Sequence, residues 1–254
     1  MKIKSKSFRN LGVLLIKYPT NKFDLITSLS LVSGVKLYSS LTKAERSKLV
    51  LDESQKSILI GILLGDAHIN KRSLTGNSRL IYGQSALRAQ HVSYFYFVFN
   101  IFKPLCSSTF SPKIKTWIDR RTKNTYKSSN FATLSLPCFN YYKELFYKNN
   151  VKIVPENIYD LLDDQGLAFW IMDDGSLQNK GLHLNTYAFS ERDINLLMEV
   201  LTNKFKLKCS IHYHKKTKPR IYIWEQSMPL LRDNLTKFMH TDMLYKISYK
   251  TKIQ

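Results

Sequence analysis

Apolar positions along the chain change rhythm from segment to segment. Residues 57–65 read Ser-Ile-Leu-Ile-Gly-Ile-Leu-Leu-Gly, and Asp52 stands just before them with Gln55 three positions later. That is a capping-box start followed by an apolar helix. Strand-like runs follow at 67–71 and 79–84, separated by the turn signal Gly76-Asn77. Residues 88–102, rich in large apolar and aromatic side chains, predict a second helix. A long hairpin is expected from 110–120 and 125–136, turning at 121–124, and then a helix over 139–149.

After Asp163 the same order returns. A helix is expected at 167–173, short strands at 177–178 and 182–187, and a helix at 191–205 with Ser190 as its N-cap. A hairpin at 209–214 and 220–224 turns around 215–219, and a helix over 228–239 closes the chain. Three pairs of segments recur in the same order. Residues 59–66 (Leu-Ile-Gly-Ile-Leu-Leu-Gly-Asp) match 167–174 (Leu-Ala-Phe-Trp-Ile-Met-Asp-Asp). Residues 102–107 (Phe-Lys-Pro-Leu-Cys-Ser) match 205–210 (Phe-Lys-Leu-Lys-Cys-Ser), and Val151-Lys152-Ile153 matches Tyr245-Lys246-Ile247. Any one pair could arise by chance; together they favour two pseudo-symmetric halves in one chain.

Charge changes the picture. Lys and Arg total 39 against 19 acids, a net charge of +20 over 254 residues. Such a field concentrates polyanions and points to nucleic acid or an anionic membrane as partner. The basic residues cluster with aromatics in strand-like segments, not on one amphipathic helix, which favours nucleic acid. The apolar runs at 11–16 and 58–64 fall far short of the roughly 20 residues that cross a bilayer, so no membrane partner is expected. Cys106, Cys138 and Cys209 contain no C-x-x-C pair and are odd in number, fitting neither a disulfide framework nor a zinc finger. Residues 1–51 form a basic, serine-rich extension whose only acid up to Ala44 is Asp24. It suits a mitochondrial presequence, a basic arm on DNA, or read-through from an upstream exon.

Each half of the repeat carries an apolar helix that ends in an acid, Asp66 and Asp174. A carboxylate is disfavoured at a helix C-terminus, where the backbone already presents negative charge. The second motif places Asp173 there too. A lysine or a divalent metal should compensate. If the two helices pack side by side, Gly61 and Gly65 let the first backbone approach closely, and Ala168 is the small residue the second offers. Two adjacent carboxylates raise one another's pKa unless a cation lies between them. Mg2+ suits such a pair, because it takes one or two carboxylates and completes its shell with water and phosphate oxygens. Taken alone, Asp66 and Asp174 each read more readily as a helix-terminal turn residue, Asp174-Gly175 being a common turn signal.

The double motif resembles the paired motifs of LAGLIDADG homing endonucleases in their single-chain form. The wider context resembles the mitochondrial omega-intron type, through Leu-Gly-Asp-Ala at 64–67, Met-Asp-Asp-Gly at 172–175, Leu184-Asn185-Thr186, Asn203-Lys204-Phe205 and Met243-Leu244-Tyr245-Lys246. The resemblance covers roughly residues 52 to 248. It implies an α+β fold of two pseudo-symmetric αββαββα halves, with motif helices at the interface and antiparallel β saddles on DNA. The halves would be 52–150 and 166–254 with a C-terminal tail, joined by a linker at 151–165. Asp66 and Asp174 would ligate Mg2+, with Mn2+ as a substitute. Lys152 and Lys246 match the basic residues that the family places near the two scissile phosphates, and Asp173 would be structural. The first motif departs from the family in ending Asp66-Ala67 instead of Asp-Gly. The second departs with Phe169 and Asp173 where small residues are usual.

Duplex contacts are expected from the two hairpins. The longer carries Lys113, Lys115, Trp117, Arg120, Arg121, Lys123 and Lys127; the shorter carries His212, His214, Lys216, Lys218 and Arg220. Alternate strand residues share a face, which aligns Lys113, Lys115 and Trp117, and likewise His212, His214 and Lys216. A two-stranded ribbon fits the major groove. The resulting expectation is a monomeric, Mg2+-dependent endonuclease that makes a double-strand break in a long asymmetric target and promotes intron mobility in the mitochondrion. The competing expectations are an RNA-binding maturase that assists group I intron splicing, and a basic DNA-binding module without catalysis.

Overall fold

A computed structural model describes residues 42–214 and 217–248; residues 1–41 of the basic extension, Lys216 and the end of the tail lie outside them. After a short helix α1 (Lys43–Ser47) comes α2 (Glu53–Leu64), then β1 (His68–Lys71), β2 (Ser78–Ser85), α3 (Ala89–Phe102), β3 (Lys115–Ile118), β4 (Thr125–Ala132) and α4 (Asn140–Phe146). A small ribbon, β5 (Tyr147–Lys148) and β6 (Val151–Lys152), and α5 (Ile158–Leu161) lead to α6 (Asp164–Asp174). The order then repeats as β7 (Gly175–Gln178), β8 (Gly181–Asn185), α7 (Glu191–Glu199), β9 (Cys209–His214), β10 (Lys218–Ile223) and α8 (Met228–Leu235). Strand order is β1-β2-β4-β3 in one sheet and β7-β8-β10-β9 in the other, antiparallel throughout. The αββαββα repeat expected from the sequence is present in both halves.

The motif helices α2 and α6 pack against each other as the central pair. Every residue from Ser57 to Leu64 and from Gly166 to Met172 is buried, as befits helices that are apolar on all sides. Their starts are tied together. Asp52 and Gln55 form the expected capping box, and Asp163 caps Gly166 N–H at 2.8 Å while also accepting from the Ser57 hydroxyl. The close approach is through Gly61, but its partner is Gly166 and not Ala168. A Cβ on Gly61 would overlap the Gly166 carbonyl, and one on Gly166 would lie 3.0 Å from Ser57 O.

Each sheet presses one face on the helices. Leu80, Tyr82 and Phe131 do so in the first half, where Tyr82 and Phe131 pack on Phe95 of α3. Leu182, Leu184, Ile221 and Ile223 do so in the second.

Three expected boundaries move. The helix drawn to Asn149 stops at Phe146, because Asn149 and Asn150 take left-handed φ of 52° and 62°. Asparagine tolerates that conformation, and a two-residue turn of this kind pairs Tyr147 with Lys152. The long hairpin has regular strands only at Lys115–Ile118 and Thr125–Ala132. The closing helix ends at Leu235, and a 3-10 turn at Thr241–Lys246 brings the chain back to the motif helices. Cys106, Cys138 and Cys209 are free thiols; only Cys106 is fully buried.

Candidate active site

The two motif helices end differently. α6 runs through Asp174, whereas α2 stops at Leu64 and Gly65 leaves helical geometry (φ −96°, ψ −129°). Asp66 therefore lies beyond its helix, and its N–H donates across the interface to Asp173 Oδ2 at 3.1 Å. Asp173 Oδ1 accepts from Tyr82 OH at 2.8 Å, Tyr94 OH at 3.0 Å and Gln84 Nε2 at 3.3 Å. The same Gln84 amide donates to Asp66 Oδ2 at 2.5 Å. Gly65 is required here: a Cβ on it would come within 2.5 Å of Asp173 Cβ.

The two lysines occupy equivalent places. Lys152 Nζ donates to Gly65 O at 3.1 Å and Ala67 O at 2.9 Å. Lys246, 6% exposed, donates to Met172 O and, at 2.9 Å, to Asp173 O. Each lysine thus donates to carbonyls at or just past the end of one motif helix and offsets the negative end of its dipole. Of the two compensating cations the sequence allows, a lysine is present at each motif end.

Three carboxylates nevertheless face two ammonium groups. Burial, then the Asp66 charge, raises the Asp174 pKa to about 7. Asp66 is also raised by burial, against the pull of Lys246, Gln84 and Lys152. It keeps a solvent-exposed edge, so the surrounding protein excludes only part of its hydration. Burial raises Asp173 well above the carboxylate range, with the Asp66 charge adding to it. Burial lowers Lys152 to about 8 and lowers Lys246, in each case against the nearby aspartates. Asp174 opens on a cleft of about 590 Å3 lined by Arg88, His91, Ser176, Asn185, Tyr245 and Lys246.

Charge excess of this kind suits a hard divalent cation. Among the described residues no three His, Cys, Asp or Glu side chains cluster as a ready ligand set. That fits Mg2+, which can be held by one or two carboxylates and otherwise takes water and phosphate oxygens, better than Zn2+, which needs three or four protein ligands.

Strand register sorts the expected DNA-contact residues. In the first sheet Lys115, Trp117, Tyr126, Ser128 and Asn130 share the face turned away from the helices. Trp117 stacks on Tyr126, with ring centroids 5.9 Å apart. Lys127 pairs with Thr116 on the opposite face, and Lys113, expected to align with Lys115 and Trp117, precedes the regular strand. Arg120, Arg121 and Lys123 lie exposed in the connecting turn, which Asp119 holds by accepting from the N–H groups of Arg121 and Thr122. In the second sheet His212, His214, Lys218 and Arg220 do share the outward face. Both ring nitrogens of His212 are engaged, by His183 and Ser210 at 3.2 Å each, so it has no nitrogen left for a base edge.

Sequence reasoning missed Gln84, Tyr82 and Tyr94. Tyr82 and Gln84 stand two apart on β2, in the register of core-facing Leu80, and a polar amide in that register was a readable signal. Tyr94 sits within an aromatic helical run and carried no such signal.

The sequence profile described as the LAGLIDADG DNA endonuclease family matches residues 56–231. A cytochrome b mRNA maturase, bI2, of Saccharomyces cerevisiae is 31% identical over 201 residues, which are 75% of this chain and 46% of that relative. The chain therefore matches less than half the length of that protein. The intron-encoded endonuclease ai4 of Dictyostelium discoideum is 39% identical over 127 residues, 49% of this chain and 80% of the relative. Among solved structures, the homing endonuclease I-WcaI bound to its DNA recognition sequence superposes with a TM-score of 0.74 at 24% identity, covering 91% of this chain and 99% of that one. With that profile spanning more than half of its length and covering both motif helices up to Asp66 and Asp174, this chain belongs to the LAGLIDADG DNA endonuclease family.

Proposed function

We propose that the protein is a site-specific homing endonuclease that makes a double-strand break in a long, asymmetric DNA target by divalent-metal-dependent phosphodiester hydrolysis, and so promotes intron mobility. One observation carries this reading. Asp66, just past the end of α2, and Asp174, the last residue of α6, stand at the same end of the central helix pair, with Lys152 beside the first motif and Lys246 beside the second. Asp66 and Asp174 would hold Mg2+, with Mn2+ able to substitute. Bound there, the ion supplies Lewis acidity and a lowered pKa for water. Gln84 orients the Asp66 carboxylate. Lys152 and Lys246 hold positive charge where charge builds on each phosphate, and Lys152, lowered to about 8, can exchange a proton near neutral pH.

The outward sheet faces would lie along the duplex as two saddles. Lys115, Trp117, Arg120, Arg121 and Lys123 serve one, and Lys218, Arg220 and His214 the other. Because the hairpins differ in length and charge, the target is not a palindrome. Both motifs lie in one chain, so the protein acts as a monomer. Among the described residues no helix is long and apolar enough to cross a membrane. We place the protein in the mitochondrion on the family resemblance and on its basic, acid-poor N-terminal composition.

A second reading, an RNA-binding maturase, is favoured by the maturase names of relatives 31% identical to this chain. The deciding experiment incubates wild type and Asp174→Asn with target DNA and Mg2+, and with intron RNA. The endonuclease reading expects cleavage by wild type alone. Uncut target with faster splicing overturns it.

A further inference from the structure

The two halves repeat one another, yet their reaction centres are not alike, and the difference is concentrated in Asp173. Its counterpart in the first motif is Gly65, which has no side chain. The Asp173 backbone carbonyl accepts from Lys246 of its own half, but its carboxylate takes all its hydrogen bonds from the first. It accepts from the Asp66 N–H, the Tyr82 and Tyr94 hydroxyls and the Gln84 amide. Gln84 in turn holds an Asp66 oxygen at 2.5 Å. The Asp66 carboxylate is thereby fixed at its backbone and at its head by one connected network. Tyr82 and Tyr94, both 0% exposed, anchor that network in the core.

No such clamp serves Asp174. Its N–H lies inside α6, the position that would reach back to it is Gly65, and it faces the open cleft between Arg88, Ser176 and Tyr245. Among the described residues no side chain donates a hydrogen bond to its carboxylate. A preorganised ligand loses less freedom when the charged complex assembles, and a group displaced by about 1 Å can slow chemistry a hundredfold.

Resting on the endonuclease reading, we propose that Asp173 is a positioning residue that preassembles the Asp66 centre alone, so that the strand served by Asp66 is cut before the strand served by Asp174. The enzyme then passes through a nicked intermediate of defined strand.

The test uses a duplex recovered by repeated binding selection from a randomised library, with a different label on each strand, cut under single turnover with Mg2+. Wild type is expected to nick one strand first. Asp173→Asn keeps the side-chain volume but places an amide among donors. It should slow the faster strand about tenfold and the slower strand less than about threefold, so the intermediate fades or changes strand. Tyr82→Phe, which removes one anchor, should shift the ratio the same way by a smaller step. Equal strand rates in wild type, or equal slowing of both strands by Asp173→Asn in a protein with an unchanged unfolding midpoint, overturns the proposal. Failure of the endonuclease reading shows separately, as no Mg2+-dependent cutting of either strand or full cutting by Asp66→Asn, and removes this proposal with it.

Discussion

Gly61→Ala sets two physical effects against each other. In an isolated helix the change is favourable by roughly 1 kcal/mol, because alanine loses less backbone entropy. In α2 the added Cβ would overlap the Gly166 carbonyl and come within 3.0 Å of Phe169 Cβ. Backbone cannot rotate away as a side chain can, so the helices must move apart. Overpacking of a filled core costs about 1–3 kcal/mol and occasionally more. The rigid partner places this site at the upper end, and the net loss expected is about 2 kcal/mol. Gly166→Ala meets Ser57 O at 3.0 Å and a movable Leu162 side chain at 3.1 Å, so it should lose less. Urea unfolding of both variants measures the difference, and DNA cleavage by Gly61→Ala should fall more than its stability, since Asp66 and Asp174 ride on the helices that separate. A Gly61→Ala protein as stable as wild type, or about 1 kcal/mol more stable, would refute the packing argument.

Lys246→Met should cost about 2–5 kcal/mol by leaving two carbonyls at a buried helix end without donors. Lys152→Met, at a more open site, should cost less; thermal unfolding reads both, and the reverse order would contradict the capping role. The Asp174 pKa is raised to about 7 in the folded protein from 3.8 unfolded. Its contribution to stability is therefore full below about pH 4 and is lost as pH rises through 7. Without metal, Asp174→Asn should raise the melting temperature at pH 8 and leave it nearly unchanged at pH 4. The same proton must leave before a cation binds, so calorimetric Mg2+ affinity should climb up to pH 7 and then level off; a flat profile would count against Asp174 as ligand. Trp117→Ala should weaken duplex binding severalfold at an unchanged unfolding midpoint, since Trp117 is 49% exposed; unaltered affinity in a gel-shift titration would remove the first hairpin from the interface.

Local features of the chain were enough to recover the helix starts, the repeat and the pair of acids. The Asp52–Gln55 box, the Ser190 cap and the unbroken apolar runs act over a few residues, and the structure reproduces each. The matched segments around Lys152 and Lys246 likewise marked equivalent positions. What each lysine does came only with the tertiary structure, because the carbonyls they bind lie 85 and 73 or more residues away. The partner of Gly61 shifted from Ala168 to Gly166, since the crossing point of two helices depends on their relative rotation and not on residue size alone. Asp173 was legible as an acid at an unfavourable helix end. Its hold on Asp66, Gln84, Tyr82 and Tyr94 was not, because four elements distant in sequence must converge before any of those hydrogen bonds exists.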